Sequence, residues 1–176
     1  SSDCAESSDF NEFSANLVHD NEVDGLALGA GVGNVVYGGS IYNNANKNIN
    51  LNDGVGPGPL PNDPGDPDAG PNGQQNWPQI LSVTHSGGDT IVEYTFDSEL
   101  SQNYEIQAYS NDARGQPAGK TFVDSDFVFL YGGPFTGTLV LNGIHHNISL
   151  TASDGGGNGT SEFSPMVSAG GAPPGG

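Results

Sequence analysis

Asp66-x-Asp68-x-Gly70-x-Asn72 sets side-chain oxygens at alternate positions, with Asp63 and Asn76 close on either side. A hard cation such as calcium takes roughly six to eight oxygen ligands, so carboxylates mixed with amide and backbone carbonyls are suitable donors. Gly70 allows a tight turn, and Pro64, Pro67, Pro71 and Pro78 hold the segment partly preorganised. The expected ligands are Asp63, Asp66, Asp68, Asn72 and Asn76. The stretch lacks the terminal bidentate glutamate of an EF-hand, so it would be a different kind of calcium loop. The same residues also suit a stiff acidic spacer whose asparagines close turns.

Other chemistry is poorly supplied. His145 and His146 are adjacent, and neighbours on a strand point to opposite faces, so they do not chelate one metal. His19 and His85 have no Cys or His at ligand spacing. Lys47, Arg114 and Lys120 are the only basic residues and lie in different segments, with no recognisable Ser-His-Asp motif, so a non-catalytic chain is expected. Gly31-x-Gly33-Asn34 resembles part of a phosphate loop, but Val35, Val36 and Tyr37 continue as strand rather than helix. Asn147-Ile148-Ser149 and Asn158-Gly159-Thr160 match the glycosylation acceptor pattern, with Asn158 expected to be the more accessible.

Three basic and 21 acidic residues give a formal charge of −18, which repels phosphate backbones and anionic lipid. Neither nucleic acid nor a membrane is an expected partner. No apolar run approaches the roughly 20 residues needed to span a bilayer, and Ser1 is not followed by the regions of a secretion signal, so a mature soluble chain is expected. Cys4 is the only cysteine, which excludes an internal disulfide and leaves at most a link between chains.

The elements that must position the acidic loop are β-rich. Ala15 to Leu28 and Gly39 to Leu51 share an apolar pair, a polar corner and an apolar-x-apolar triplet. Leu17 aligns with Ile41 at an offset of 24, and Leu26 and Leu28 align with Ile49 and Leu51 at 23. A period in the low twenties with asparagine corners suits turns of a parallel β-helix, with Leu26, Leu28, Ile49 and Leu51 inward and asparagines able to stack in ladders. After Gln79, seven short alternating segments suit an immunoglobulin-like sandwich. Its expected core is Ile80, Val83, Ile91, Tyr94, Tyr104, Ile106, Phe122, Phe127, Phe129, Leu139, Leu141, Ile148 and Leu150. The polar face of the strand around Ile148 to Ala152 is expected to be solvated.

The expected fold is therefore all-β: short parallel β-helix-like rungs over 1–54, an acidic linker with a calcium loop over 55–78, an immunoglobulin-like antiparallel sandwich over 79–165 and a flexible tail over 166–176. The phrases GSIYNNANKNINLNDGVGP and NDPGDPDAGPNGQQNWPQI, followed by a sandwich ending in LTASDGGGNGTSEFS, resemble the C-terminal region of bacterial cell-surface right-handed parallel β-helix proteins. Asn48-Ile49-Asn50-Leu51 departs from that family's usual Gly-Ile-Asp-Leu. The resemblance implies an extracellular, non-catalytic surface or adhesion role.

Two rungs are too few to bury a solenoid core alone. The chain is thus expected to form a homo-oligomer or homopolymer, with Ser1 to Phe13 as donor segment, Phe10 and Phe13 as plugs and Cys4 near a subunit junction. The competing expectation is that Phe10 and Phe13 cap their own rungs. An adhesive module binding a surface glycan is the alternative role, which exposed aromatics on one face would favour.

Overall fold

The computed structural model describes residues 9–51, 58–113, 115–154 and 157–170. Cys4 lies outside them. The N-terminal part is two layers of short strands: β1 (Glu12–Ser14), β2 (Leu17–His19) and β3 (Leu26–Ala27), then β4 (Val35–Tyr37), β5 (Ser40–Tyr42) and β6 (Ile49–Asn50). Each strand pairs in parallel with its counterpart, Glu12 with Val35, Leu17 with Ser40 and Leu26 with Ile49, a constant step of 23 residues.

That step corrects one alignment. Val18, not Leu17, is the partner of Ile41. A one-residue slip turns every side chain of a strand to the other face, so Leu17 is 65% exposed while Val18 packs inward. The adjacent apolar pair fits either register by hydrophobicity alone. Phe13, Val18, Leu26 and Leu28 of the first layer and Val36, Ile41, Ile49 and Leu51 of the second share one apolar cluster.

The rest is β-sandwich-like. β7 (Gln79–Ser86), β8 (Asp89–Phe96) and β11 (Phe135–Leu141) form one antiparallel sheet, in the order β11-β8-β7. β9 (Asn103–Asn111), β10 (Thr121–Phe129), β12 (Asn147–Asp154) and β13 (Gly159–Thr160) form the other, in the order β10-β9-β12-β13, and β14 (Val167–Ser168) also pairs with β12. Gly87 and Gly88, both at positive φ, close the β7–β8 hairpin. Between the sheets lie Val83, Val92, Tyr94, Tyr104, Ile106 and Leu150, among others. No helix among the described residues is long and apolar enough to cross a membrane.

Four features of this part differ from the sequence reading. The ladder between β10 and β9 shifts between Phe122 and Asp124, and beyond the shift Val128 and Leu130 turn inward. Phe122, Phe127 and Phe129 are consequently exposed rather than core. Ile91 is only half-buried, because Val92, Tyr94 and Phe96 carry the inward face of β8. β12 is buried on both faces where water was expected on one: Ser149 Oγ donates to Ala118 O and receives the Asn111 amide, and Ser153 Oγ receives Thr160 Oγ1. β13 is only Gly159–Thr160, and Val167 of β14 enters the core, so the sandwich continues past residue 165.

Candidate functional site

Asparagines join the layers. The backbone N–H and side-chain Nδ2 of Asn11 both donate to Oδ1 of Asn34, at 3.2 and 2.8 Å. Asn34 makes the same two-donor contact to Oδ1 of Asn72, at 3.0 and 3.3 Å. A parallel series runs from Asn21 to Asn44, at 3.1 and 2.8 Å, and from Asn44 to Asn48, at 3.3 and 2.8 Å. One amide thus satisfies a corner N–H and a neighbouring amide together, which lets the corners be buried.

Beyond the second layer, the sandwich supplies side chains where another layer would supply backbone. Gln107 Oε1 accepts from the Gly38 N–H at 2.9 Å, and its Nε2 donates to Val36 O at 3.1 Å. Thr160 Oγ1 accepts from the Val36 N–H at 2.8 Å. Glu162 accepts from the Leu51 and Leu60 N–H groups at 3.0 and 2.7 Å and meets the buried Lys47 at 3.1 and 3.2 Å. Burial raises its carboxyl above the ordinary glutamate value, opposed by those N–H donors and by Lys47. Tyr109 and Phe163 close the apolar interior against Leu51. Gly119 exchanges two backbone hydrogen bonds with Ile41, and a Cβ there would sit 2.5 Å from Phe163 and 2.7 Å from Tyr109, so only glycine admits this contact.

The linker is folded into this junction. Asn72 is buried at the end of the first asparagine series, and its Nδ2 donates to Asn34 O and Thr160 O. Asn76 Oδ1 accepts from the Asp63 N–H, and its Nδ2 donates to Asp63 O and Asp97 O. Asp68 is exposed. Asp66 is buried, and its Oδ2 accepts from Ser98 Oγ, Gln75 Nε2 and the Asn76 N–H at 2.5, 2.7 and 3.1 Å. Burial pushes its carboxyl up to about 6 despite the Ser98 and Asn76 donors, and the charges of Asp63 and Glu99 add to the rise. Among the described residues no three His, Cys, Asp or Glu side chains form a group able to hold a metal. The five expected ligands are therefore split: Asp63, Asp66 and Asn76 lie together, Asn72 belongs to the asparagine series and Asp68 faces out.

On their other side, β1, β2 and β3 have no strand partner among the described residues. Phe13, Val18, Leu26, Val36 and Ile41 line a cavity of about 170 Å³ there. Phe10, Leu17 and Val23 are exposed. Phe13 packs in its own layers and the Phe10 N–H donates to Val32 O, so the expected donor segment is engaged within its own chain from residue 10 onward.

On the sandwich, Phe127 (72% exposed), Phe129 and Tyr131 (86% exposed) follow one another at alternate positions, with Phe129 and Tyr131 ring centroids 4.4 Å apart. His85 meets the His145 carbonyl and His145 the Asn142 carbonyl. Asn147 is buried, its side chain held by Asn111 O and Ser168, whereas Asn158 is half-buried in its turn.

Sequence reasoning anticipated asparagine ladders, and the recurrence of Asn11 at 34 and Asn21 at 44 carries that signal. It missed Gln107, Thr160 and Glu162, which no local pattern marks. No protein-family model and no curated protein matches the chain.

Proposed function

We propose that this is an extracellular, non-catalytic structural module. In it, two turns of a parallel β-helix are closed at one end by an immunoglobulin-like sandwich and self-associate through the other end into a surface assembly or filament. The constant 23-residue step and inward apolar series support the solenoid reading. Pairing of β7, β8 and β11 in one sheet and of β9, β10, β12 and β14 in the other supports the immunoglobulin-like one, with the strands in the roles A, B, E and C, C′, F, G.

The observation that carries the association is the asymmetry of the asparagine series. Asn72 and Asn48 finish it on the sandwich side, while among the described residues Asn11 and Asn21 receive no donor pair on theirs. Unpaired strand edges over an apolar cavity are a template for another chain. Glu12, Asp20, Glu22 and Asp24 lie in the first layer, so the acidic surface of a second copy is repelled there until salt screens it. Sedimentation velocity tests this directly: the apparent mass rises with protein concentration and with salt, and Leu26→Glu in the cavity abolishes the rise. A single monomer species under all conditions contradicts the reading.

A second reading, an adhesive module binding a surface glycan, is favoured by the row Phe127, Phe129 and Tyr131. Aromatic faces exposed on a rigid strand suit stacking on sugar rings. Strand addition at β10 is disfavoured, because Asp124 and Asp126 share the inward-facing register of that edge with Ala108 and Ile106. Retention on immobilised polysaccharides, lost in Phe127→Ala with Tyr131→Ala, tests it.

A further inference from the structure

The junction holds a set of buried oxygens with nothing to bind. Asp66 and Gln75 are each 1% exposed, yet among the described residues Asp66 Oδ1 and Gln75 Oε1 have no hydrogen-bond partner, and neither has the buried Asp63 Oδ1. The Gln75 amide donates to the Asp66 carboxylate through Nε2, and Asn76 bridges Asp66 and Asp63, its N–H donating to Asp66 Oδ2 and its Oδ1 accepting from the Asp63 N–H, so the three residues are neighbours. Each unsatisfied buried acceptor is costly, more so when charged. A single positive ion placed among them would relieve all three, and an all-oxygen donor set selects a hard divalent cation.

We propose that Asp63, Asp66 and Gln75 bind one calcium ion through their free oxygens, with backbone carbonyls and water completing its shell. This set differs from the one that alternate spacing suggests. Asp68 is exposed, and the oxygens of Asn72 and Asn76 are already taken by N–H donors. Gln75 instead enters as a ligand.

Asp66 also holds Ser98, and Gly65 donates to Asp97 Oδ2, so a cation here ties the linker to the segment between β8 and β9. It fixes the N-terminal layers on the sandwich, whether or not chains associate.

The test uses the whole chain. Thermal melts are compared in chelator, in calcium and in magnesium, and terbium luminescence sensitised by Trp77, the only tryptophan, is read in parallel. At free calcium about 100 times Kd, the folded-to-unfolded ratio rises about 100-fold, which for a chain of this size raises Tm by roughly 5–10 °C. Asp66→Asn abolishes both the gain and the terbium signal, and Gln75→Met weakens calcium binding at least about tenfold, a loss of about 1.4 kcal/mol. Asp68→Asn leaves both unchanged. Wild-type melts that superimpose in calcium and chelator overturn the site, as do a full gain in Asp66→Asn or a loss in Asp68→Asn equal to that of Asp66→Asn. If Asp66→Asn does not fold, Gln75→Met decides by the same two readouts.

Discussion

Asn72 Oδ1 receives both the backbone N–H and the side-chain amide of Asn34, the same contact that Asn34 Oδ1 receives from Asn11. Residues 11 and 34 are one layer apart, but residue 72 comes from the linker, 38 positions further on. The linker therefore fills the place of a third layer at this corner.

Asn72→Ala removes an acceptor for two buried donors and places alanine at φ 48, a left-handed backbone that asparagine tolerates better. The expected loss is about 2–4 kcal/mol, from orphaned donors and backbone strain together. Urea unfolding measures it. A loss under about 0.5 kcal/mol, the size expected for an exposed position such as Asp68, contradicts the role assigned to Asn72.

Lys47 and Glu162 form a buried pair across the junction. Lys47→Met leaves the carboxylate with only its N–H donors, and breaking one side of a buried pair costs about 3–5 kcal/mol. Hydrogen exchange localises the effect: amides of β4 to β6 exchange faster, while β8 and β9 keep their protection.

Asp154 gives a pH dependence. Burial raises its carboxyl above the ordinary aspartate value of 3.8, against the N–H groups of Gly159, Asn158 and Gly157. The folded chain thus holds this proton more tightly than the unfolded one. Stability from this group is complete below about 4 and is lost as pH rises through the folded value. In Asp154→Asn the fall in Tm between pH 4 and neutrality becomes shallower, as calorimetry in chelator would show; an unchanged slope removes Asp154 as its source.

The aromatic row predicts function without stability. Phe127→Ala and Tyr131→Ala remove side chains that are mostly in water, so each changes stability by no more than about 0.5 kcal/mol. Under the glycan reading, the pair together loses most retention on a binding polysaccharide. Under self-association alone, both variants sediment as the wild type does.

Local pattern made much of the fold legible and failed where tertiary contact intervened. The apolar-x-apolar triplets ending in Leu28 and Leu51 fixed their own layers, because such alternation leaves one register. Leu17-Val18 did not, since either residue can face inward. Phe127 and Phe129 were misread because a bulge at the β10 edge reverses alternation without a sequence mark. The serines and threonines of β12 look solvated in isolation and are buried only because another part of the chain covers them. In the linker, residue type indicated cation chemistry, but spacing could not tell Asn72, spent on Asn34, from Gln75, whose oxygen is free.

In the proposed assembly, another copy covers the first layer. Hydrogen exchange with mass spectrometry, run on the full chain at low and high protein concentration in high salt, tests it most directly. Protection gained with concentration at residues 12–19 and 26–27, with β10 and β7 unchanged, is the predicted result. Exchange at those residues that is independent of concentration, or protection gained at β10 instead, contradicts it.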